Sequence, residues 1–320
     1  MLAGLRQQAG KIRTVSEFSR KGPWLGLLVG VAAVSSAAVL IKLCQVPALS
    51  IAAYRLAISA PMFWLLCWPR GAPWKGLNRS ELGLIMASGC CLGLHFATWI
   101  ASLSFTSVAS SVVLVTLNPV FVGLGTVFFL REPVPGRLWV GTAMAAGGSV
   151  LIAFSDRGEG GANPLLGDGL ALFGAVCMSA YMLLGRSLRD RLDTLAYVSL
   201  VYGAAAVVLL AACWVSGSPM GGFRQTDWLL LLALAAIPQA LGHTMINWSL
   251  RALGATVVAV AILGEPIGAS LLAYRFLGEP ITIMQLVGAG LILVGVGLAA
   301  RTALPPPQKG AEPAAGNISA

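Results

Sequence analysis

The chain has 320 residues, of which 57% are hydrophobic and only 10% charged, and its formal net charge is +9. A soluble domain carries about 25% charged residues, so this chain has too few to cover a water-facing surface, and we expect it to lie in lipid. The positive charge does not indicate a nucleic-acid partner, because most basic residues lie in short segments between apolar runs, as they do in membrane proteins.

Apolar runs predict ten transmembrane helices, because a helix needs about 20 apolar residues to cross the hydrocarbon core. A basic segment, residues 1–22, precedes the runs and should lie on anionic headgroups in the cytoplasm. The proline-rich tail, residues 302–320, has no apolar periodicity and should be disordered. The sequence therefore predicts an all-α polytopic membrane protein. The ten runs cover residues 24–44, 49–69, 82–103, 107–130, 137–155, 165–185, 195–215, 228–250, 254–277 and 281–301.

The positions of Lys and Arg predict the orientation of the chain in the membrane. Most of them lie in connecting segments on the side of the N-terminus, and an excess of basic residues marks cytoplasmic loops. Because ten spans return the chain to the side on which it started, both chain ends should be cytoplasmic. We expect a multi-pass protein of a bacterial-type inner membrane.

One block of sequence occurs twice, at an offset of 147 positions that aligns Pro119 with Pro266. Five predicted spans separate equivalent helices, and because five is odd, the second half should cross the membrane upside down relative to the first. We predict two inverted repeats, residues 23–155 (helices 1–5) and 162–301 (helices 6–10), an arrangement typical of secondary transporters. The same offset aligns Ser102 with Ser249, Leu130 with Leu277, Glu132 with Glu279, and Gly148 with Gly295.

Two polar residues at membrane depth stand directly before prolines. Glu265 precedes Pro266 near the middle of helix nine, and its repeat equivalent Asn118 precedes Pro119 in helix four. Each proline removes a helical hydrogen bond, and such a break is tolerated where the backbone lines a wet cavity. We predict that both side chains face a central cavity, where Glu265 binds a cationic group or carries a coupling proton. The alternative is that the prolines only kink the helices and that Glu265 pairs with a basic neighbour.

Arg55 lies about two turns into the second predicted helix. A charged side chain inside a membrane span is a candidate functional residue, because its insertion costs about 2.5–3.5 kcal/mol. Arg55 either faces the cavity, where it can hold a substrate carboxylate in a bidentate pair, or reaches the outer interface. Both interpretations stay open at this point.

Two histidines occupy nearly equivalent positions in helices three and eight. His95 has Trp99 one turn away, and His243 is followed by Asn247 and Trp248. Histidine can take up and release a proton near neutral pH, and the aromatic rings can form a stacking or cation–π wall. We therefore predict that this group contributes to a substrate site; hydrogen-bonded packing histidines and interfacial tryptophans are the alternative.

Glycines are frequent in the fifth and tenth helices, among them Gly141, Gly148, Gly288 and Gly295. Small residues allow helix backbones to approach closely, so these should form a scaffold or a dimer seam, and we expect a monomer or a homodimer. The sequence contains no nucleotide-binding loop, zinc-protease motif or nucleophile elbow. We therefore expect no enzyme, no cofactor and no metal site.

The repeated motifs resemble the EamA domain of the drug/metabolite transporter superfamily over about residues 24–301. The resemblance implies ten helices in two inverted repeats around a central cavity, and a substrate that is a small metabolite, often exported and often coupled to protons. The motifs that carry it are Tyr54-Arg55-Leu56, Thr106-Ser107-Val108-Ala109, Asn118-Pro119-Val120-Phe121, Leu130-Arg131-Glu132-Pro133, Glu265-Pro266 and Leu277-Gly278-Glu279-Pro280.

We therefore predict a secondary active transporter that moves a small polar metabolite (an amino acid, amine or related compound) across the inner membrane by alternating access, as an exporter with proton coupling. The predicted partners are the small-molecule substrate and membrane lipids. An uptake carrier and an uncoupled facilitator or channel are the alternatives, and a membrane-embedded enzyme is the least favoured. The predicted site residues are Arg55, His95, Trp99, Asn118, His243, Asn247, Trp248 and Glu265, with helix breaks at Pro119 and Pro266.

Overall fold

The computed structural model describes residues 22–106, 108–155, 163–278 and 281–303. The expectations for the basic N-terminal segment up to residue 21, for the tail beyond residue 303, and for the repeated Glu279-Pro280 pair lie outside the described residues. Within the described ranges the chain forms ten long helices and no strand. The predicted all-α, ten-helix fold is therefore confirmed.

The ten helices follow the predicted apolar runs. Eight of them, all except α5 and α10, are long and apolar enough to cross a membrane. Helices α5 and α10 have 20 and 21 residues, which is also sufficient for a span. The bounds are α1 Gly22–Leu43, α2 Ala48–Cys67, α3 Arg79–Ser102, α4 Val108–Val115 with Asn118–Phe128, α5 Gly136–Ser155, α6 Pro164–Leu184, α7 Thr194–Ser216, α8 Gln225–Leu253, α9 Ala255–Ile262 with Glu265–Leu277, and α10 Ile283–Ala303.

Capping residues in the sequence determine where several helices begin and end. Asn78 and Glu81 form a reciprocal capping box at the start of α3, with both hydrogen bonds at 2.9 Å. Asp193 accepts a hydrogen bond from the amide of Ala196 at the start of α7, and α7 ends at Gly217, whose φ of 66° is the left-handed conformation that glycine favours. Each such cap stabilises a helix end by about 1 kcal/mol.

Eight helices share one apolar core, and α5 and α10 pack beside it. The main core draws on α1–α4 and α6–α9 and includes the buried side chains of Leu56 and Phe96. A smaller cluster joins Leu138 of α5 to Val260 of α9 and Ala299 of α10. The eight-helix core can therefore surround a site while α5 and α10 hold the two halves together from one side.

Helices α5 and α10 cross through glycines that are repeat equivalents of one another. Gly141 faces Gly295, so that a Cβ on Gly141 would lie 2.7 Å from the carbonyl oxygen of Gly295, and Gly148 faces Gly288 in the same way. Because Gly141 and Gly148 correspond to Gly288 and Gly295, equivalent helices run antiparallel. The predicted inversion of the second half is confirmed, and the glycines form a seam inside one chain.

The turns after α4 and α9 repeat the same backbone shape. Arg131 has a φ of 54° and Gly278, which is 147 positions later, has a φ of 73°. The left-handed region is accessible to glycine without steric cost, whereas an arginine there is uncommon. The fold therefore preserves the turn even where the first repeat lacks the glycine.

We expect Gly148→Ala to destabilise the protein, because the added Cβ would overlap the carbonyl oxygen of Gly288 and the backbones would have to separate. Overpacking of this kind costs about 1–3 kcal/mol. The matched control is Gly290→Ala on α10, where a Cβ meets no atom within 4 Å and the melting temperature should not fall. Thermal unfolding of the two variants in detergent measures the difference, and equal melting temperatures would contradict the seam.

Candidate functional site

A central cavity lies between the two halves, at the level of the helix breaks. It is about 30 Å³ in volume, which is room for water rather than for a metabolite. Six of the eight predicted substrate-binding residues line it. The side chains that line the cavity are Val34, Ala37, Arg55, His95, Trp99, Val115, Thr116, Asn118, Met178, His243, Ile246, Ile262 and Glu265.

The breaks in α4 and α9 place two polar side chains at the cavity. The first segment of α4 ends at Val115 and its second begins at Asn118, while α9 breaks between Ile262 and Glu265. In both helices a proline occupies the second position of the new segment, where its missing N–H is not needed. Asn118 and Glu265 are therefore the first residues of helical segments that start in the middle of the bundle.

Arg55 is completely buried, and only part of its hydrogen-bonding capacity is used. Its Nη2 donates to Oε1 of Gln239 at 3.3 Å, and its guanidinium lies 4.4 Å above the ring of Phe96 and 5.8 Å from that of Trp99. Its Nε and Nη1 have no hydrogen-bond partner. A buried guanidinium with two unpaired nitrogens carries a desolvation cost that a bound anionic group would relieve.

An aromatic wall continues from Arg55 along one side of the cavity. The ring of His95 stacks on Trp99 with centroids 6.1 Å apart, and its Nδ1 donates to the carbonyl oxygen of Gly174 at 2.9 Å. His243 meets the ring of Phe96 edge-on at 5.1 Å. The two predicted histidines therefore lie on either side of one phenylalanine, next to the guanidinium.

Helix α8 is wound as a π-helix from Ala235 to His243. Pro238 lies inside this stretch and removes a backbone donor, and π-helical turns often mark functional sites. The wider turn brings Gln239, which is fully buried, to Arg55. Sequence reasoning missed Gln239, although a glutamine next to a proline in the middle of an apolar helix was an available signal.

Asn118 and Glu265 present polar atoms from opposite halves. Asn118 donates from Nδ2 to the sulfur of Met182 at 3.7 Å, and its Oδ1 has no partner. Glu265 is 8% exposed, which is consistent with a carboxyl group at the wall of the cavity. Its backbone carbonyl accepts a hydrogen bond from Ser35, located at a break in α1.

The structure does not bring the other two predicted residues to the cavity wall. Asn247 is buried behind it, where Oδ1 accepts from the hydroxyl of Tyr181 at 2.6 Å and Nδ2 donates to the carbonyl of His243 at 2.8 Å. Trp248 is 39% exposed and lies against Gly26 of α1, on the outside of the bundle.

Contacts between helices lie on either side of the central cavity along the bundle. We call the end where α1 begins the N-face and the other end the far face. Towards the far face Tyr54, Phe223 and Trp228 form an aromatic cluster with centroids 5.0–6.2 Å apart, and the hydroxyl of Tyr54 donates to the carbonyl of Met220. Towards the N-face the hydroxyl of Tyr181 on α6 donates a hydrogen bond to Asn247 on α8.

The unpaired polar atoms define what the cavity can bind. Nε and Nη1 of Arg55 and Nε1 of Trp99 are buried donors without partners, and Oδ1 of Asn118 is a buried acceptor without one. Buried polar groups are normally hydrogen-bonded, so water or a ligand in the cavity would supply partners for these atoms. No group of three or more His, Cys, Asp or Glu side chains suited to a metal ion occurs among the described residues.

A polar cavity between two inverted five-helix halves is typical of membrane transporters. The chain belongs to the EamA-like transporter family, whose profile matches residues 20–154 and again residues 165–301. It is a multi-pass protein of the bacterial inner-membrane type.

Several known proteins are similar to this chain. The pseudopaline exporter CntI of Pseudomonas aeruginosa is 24% identical over 215 residues, which are 67% of this chain and 72% of that protein. A probable 4-amino-4-deoxy-L-arabinose-phosphoundecaprenol flippase subunit, ArnE of Pseudomonas fluorescens, is 31% identical over 94 residues, 29% of this chain and 82% of the relative. One solved crystal structure has the same fold, with a TM-score of 0.71 and 20% identity over 87% of this chain and 96% of that one.

We expect Arg55→Met to leave the protein as stable as before or more stable, because replacing a buried, incompletely paired polar group by an apolar one of similar shape is neutral or favourable. Arg189→Met is the matched control: Arg189 is equally buried but donates to the carbonyl of Met182 and to the hydroxyl of Tyr197. Its loss should cost about 1–3 kcal/mol. Thermal unfolding compares them, and a larger loss for Arg55→Met would assign Arg55 a structural role.

Proposed function

We propose that the protein is a secondary active exporter of small zwitterionic metabolites, such as amino acids or compounds built from them. The observation that carries this proposal is a set of four unpaired polar atoms of Arg55, Trp99 and Asn118 at one central cavity, which Glu265 of the second half also lines. Two of these four atoms are nitrogens of Arg55, which favours a carboxylate in the substrate. The relative CntI is an exporter, which supports the outward direction.

The two ends of a zwitterion fit different walls of the cavity. Nε and Nη1 of Arg55 are unpaired donors, and each could donate to an oxygen of a substrate carboxylate. A protonated amine at the other end would donate to Oδ1 of Asn118 and to the carboxylate of Glu265. Trp99 supplies a further donor and an aromatic face. Because the cavity now has room only for water, a substrate requires the halves to separate.

Alternating access follows from the inverted halves. We take the N-face as cytoplasmic, on the distribution of Lys and Arg. Opening the Tyr181–Asn247 contact would admit substrate from the cytoplasm, and opening the cluster of Tyr54, Phe223 and Trp228 would release it outside.

Glu265 is the proposed proton carrier. It is the one acidic side chain that lines the central cavity, and the equivalent position of the first half holds the uncharged Asn118. The halves are therefore chemically unequal at the same depth. Competition between a proton and the substrate amine for this carboxylate would couple inward proton movement to outward substrate movement.

We expect Glu265→Gln to abolish transport driven by a pH gradient in proteoliposomes while leaving substrate exchange measurable, because the amide keeps the shape of the side chain but cannot bind a proton. The substrate is chosen beforehand by its ability to raise the melting temperature of the purified protein. Asp168→Asn, which removes a carboxylate bonded to Thr106 outside the cavity, is the control and should retain pH-driven transport. Undiminished pH-driven transport in Glu265→Gln would refute the proton role.

We expect Tyr181→Phe to loosen the closure towards the cytoplasm, because it removes the hydroxyl that bonds to Asn247. A hydrogen bond of about 1 kcal/mol corresponds to about a fivefold change in the open population. Tyr202→Phe is the matched control, since the equally buried hydroxyl of Tyr202 has no partner.

The six native cysteines are first replaced, and Thr116→Cys is introduced as a reporter that lines the cavity. The measurement is the rate at which a membrane-impermeant thiol reagent modifies this cysteine in inside-out vesicles. The rate should rise several-fold with Tyr181→Phe and stay unchanged with Tyr202→Phe. Equal rates in both backgrounds would show that the Tyr181–Asn247 contact does not close the path.

A further inference from the structure

A second and larger cavity opens between the two halves near the N-face, and we call it the vestibule. Its volume is about 420 Å³, enough for a small metabolite, and it shares no lining residue with the central cavity. The first half contributes the end of α4 and the start of α5, and the second half contributes the end of α6 and the junction of α8 and α9. Its lining residues include Thr126, Glu132, Leu138, Leu183, Arg186, Arg189, Leu250, Arg251, Gly254 and Thr256.

The vestibule carries an excess of positive charge. Arg186, Arg189 and Arg251 line it together with one acidic residue, Glu132, which is paired with Arg186 at 2.7 Å. Arg251 has no ion-pair or hydrogen-bond partner in the part of the chain that the structure describes. Two positive charges therefore remain after pairing, and the concave walls concentrate their field on whatever enters.

Backbone groups add to this potential. Helix α9 begins at the vestibule after Gly254, whose φ of 80° turns the chain sharply out of α8. No side chain caps the first turn of α9, so its amide groups stay available next to Arg251 and Thr256. Such amides and the helix dipole reinforce the arginines in attracting an anion.

The vestibule lies near the Tyr181–Asn247 contact. Leu183 follows Tyr181 by two residues, and Leu250 and Arg251 lie about one helical turn beyond Asn247. Arg189 reaches from the vestibule to the carbonyl oxygen of Met182, between these positions. A molecule in the vestibule would thus lie on the N-face side of the Tyr181–Asn247 contact.

We propose that the vestibule is a separate binding site for the anionic group, a carboxylate or a phosphate, of the molecule to be transported. This inference rests on the proposed export function and narrows its substrate class to metabolites with net negative charge or several carboxylates. Arg251 holds the anionic group first, and Arg55 receives it when the Tyr181–Asn247 contact opens. The headgroup of an anionic lipid shares this chemistry and is the other source that the experiment separates.

The test uses the full-length protein without its native cysteines, with Thr256→Cys as a reporter inside the vestibule, in nanodiscs of zwitterionic phosphatidylcholine. Rates of modification are measured with a negatively charged and a positively charged methanethiosulfonate. We expect the ratio of the rate with the negative reagent to the rate with the positive reagent to be about tenfold higher at Thr256→Cys than for free cysteine in solution. At equal ionic strength, citrate or inorganic phosphate should slow the negative reagent more than chloride does.

Arg251→Gln should lower this preference about threefold or more, whereas Arg79→Gln should leave it unchanged, since Arg79 is exposed on the same face and does not line the vestibule. The proposal is overturned if the two reagents show no difference, if Arg251→Gln and Arg79→Gln have equal effects, or if protection arises only from added phosphatidylglycerol and never from citrate or phosphate. The labelling experiment does not depend on transport, so a negative labelling result would not contradict the proposed export function. Likewise, a negative result in the Glu265→Gln transport experiment would not contradict a positive labelling result.

Discussion

The burial of the Arg55 guanidinium is the constraint on which the central site depends. Removing a charged group from water costs several kcal/mol unless other groups replace its hydration. Here one hydrogen bond to Gln239 and the faces of Phe96 and Trp99 replace only part of it, and two nitrogens stay unpaired. The unpaired nitrogens belong to a residue that lines the central cavity, where a bound anionic group would relieve part of this cost.

The inverted repeat allows such a site to lie inside a membrane protein. Backbone polar groups cannot be left unpaired in lipid, yet both α4 and α9 are broken at the same depth. The breaks are enclosed by the other helices of the core, while α5 and α10 hold the halves in register through Gly141, Gly148 and their equivalents. The seam lies between α5 and α10, beside the core of eight helices that contains the broken helices.

The ten helices and the inversion of the second half could be predicted from the sequence. The helices follow from the lengths of the apolar runs, and the inversion follows from the 147-residue offset of the repeat. Sequence reasoning also singled out Asn118 and Glu265, since a polar residue before a proline is a local pattern. It missed Gln239, because the π-helical turn that aims it at Arg55 is a backbone feature with only Pro238 as its trace. It grouped Trp248 with the cavity, whereas one residue further along a helix rotates a side chain by about 100° and Trp248 faces out.

The two ends of the path differ in chemistry even though the repeat would permit them to be alike. Trp228 lies in the aromatic cluster of the far face, and Glu81, which is 147 positions earlier, pairs instead with Arg191 at the N-face. Aromatic contacts therefore lie towards the far face, and an ion pair and the Tyr181–Asn247 hydrogen bond lie towards the N-face. On the proposed path, an anion from the N-face would meet arginines first, whereas one from the far face would meet aromatic rings first. Two identical halves could not present such different chemistry at the two faces.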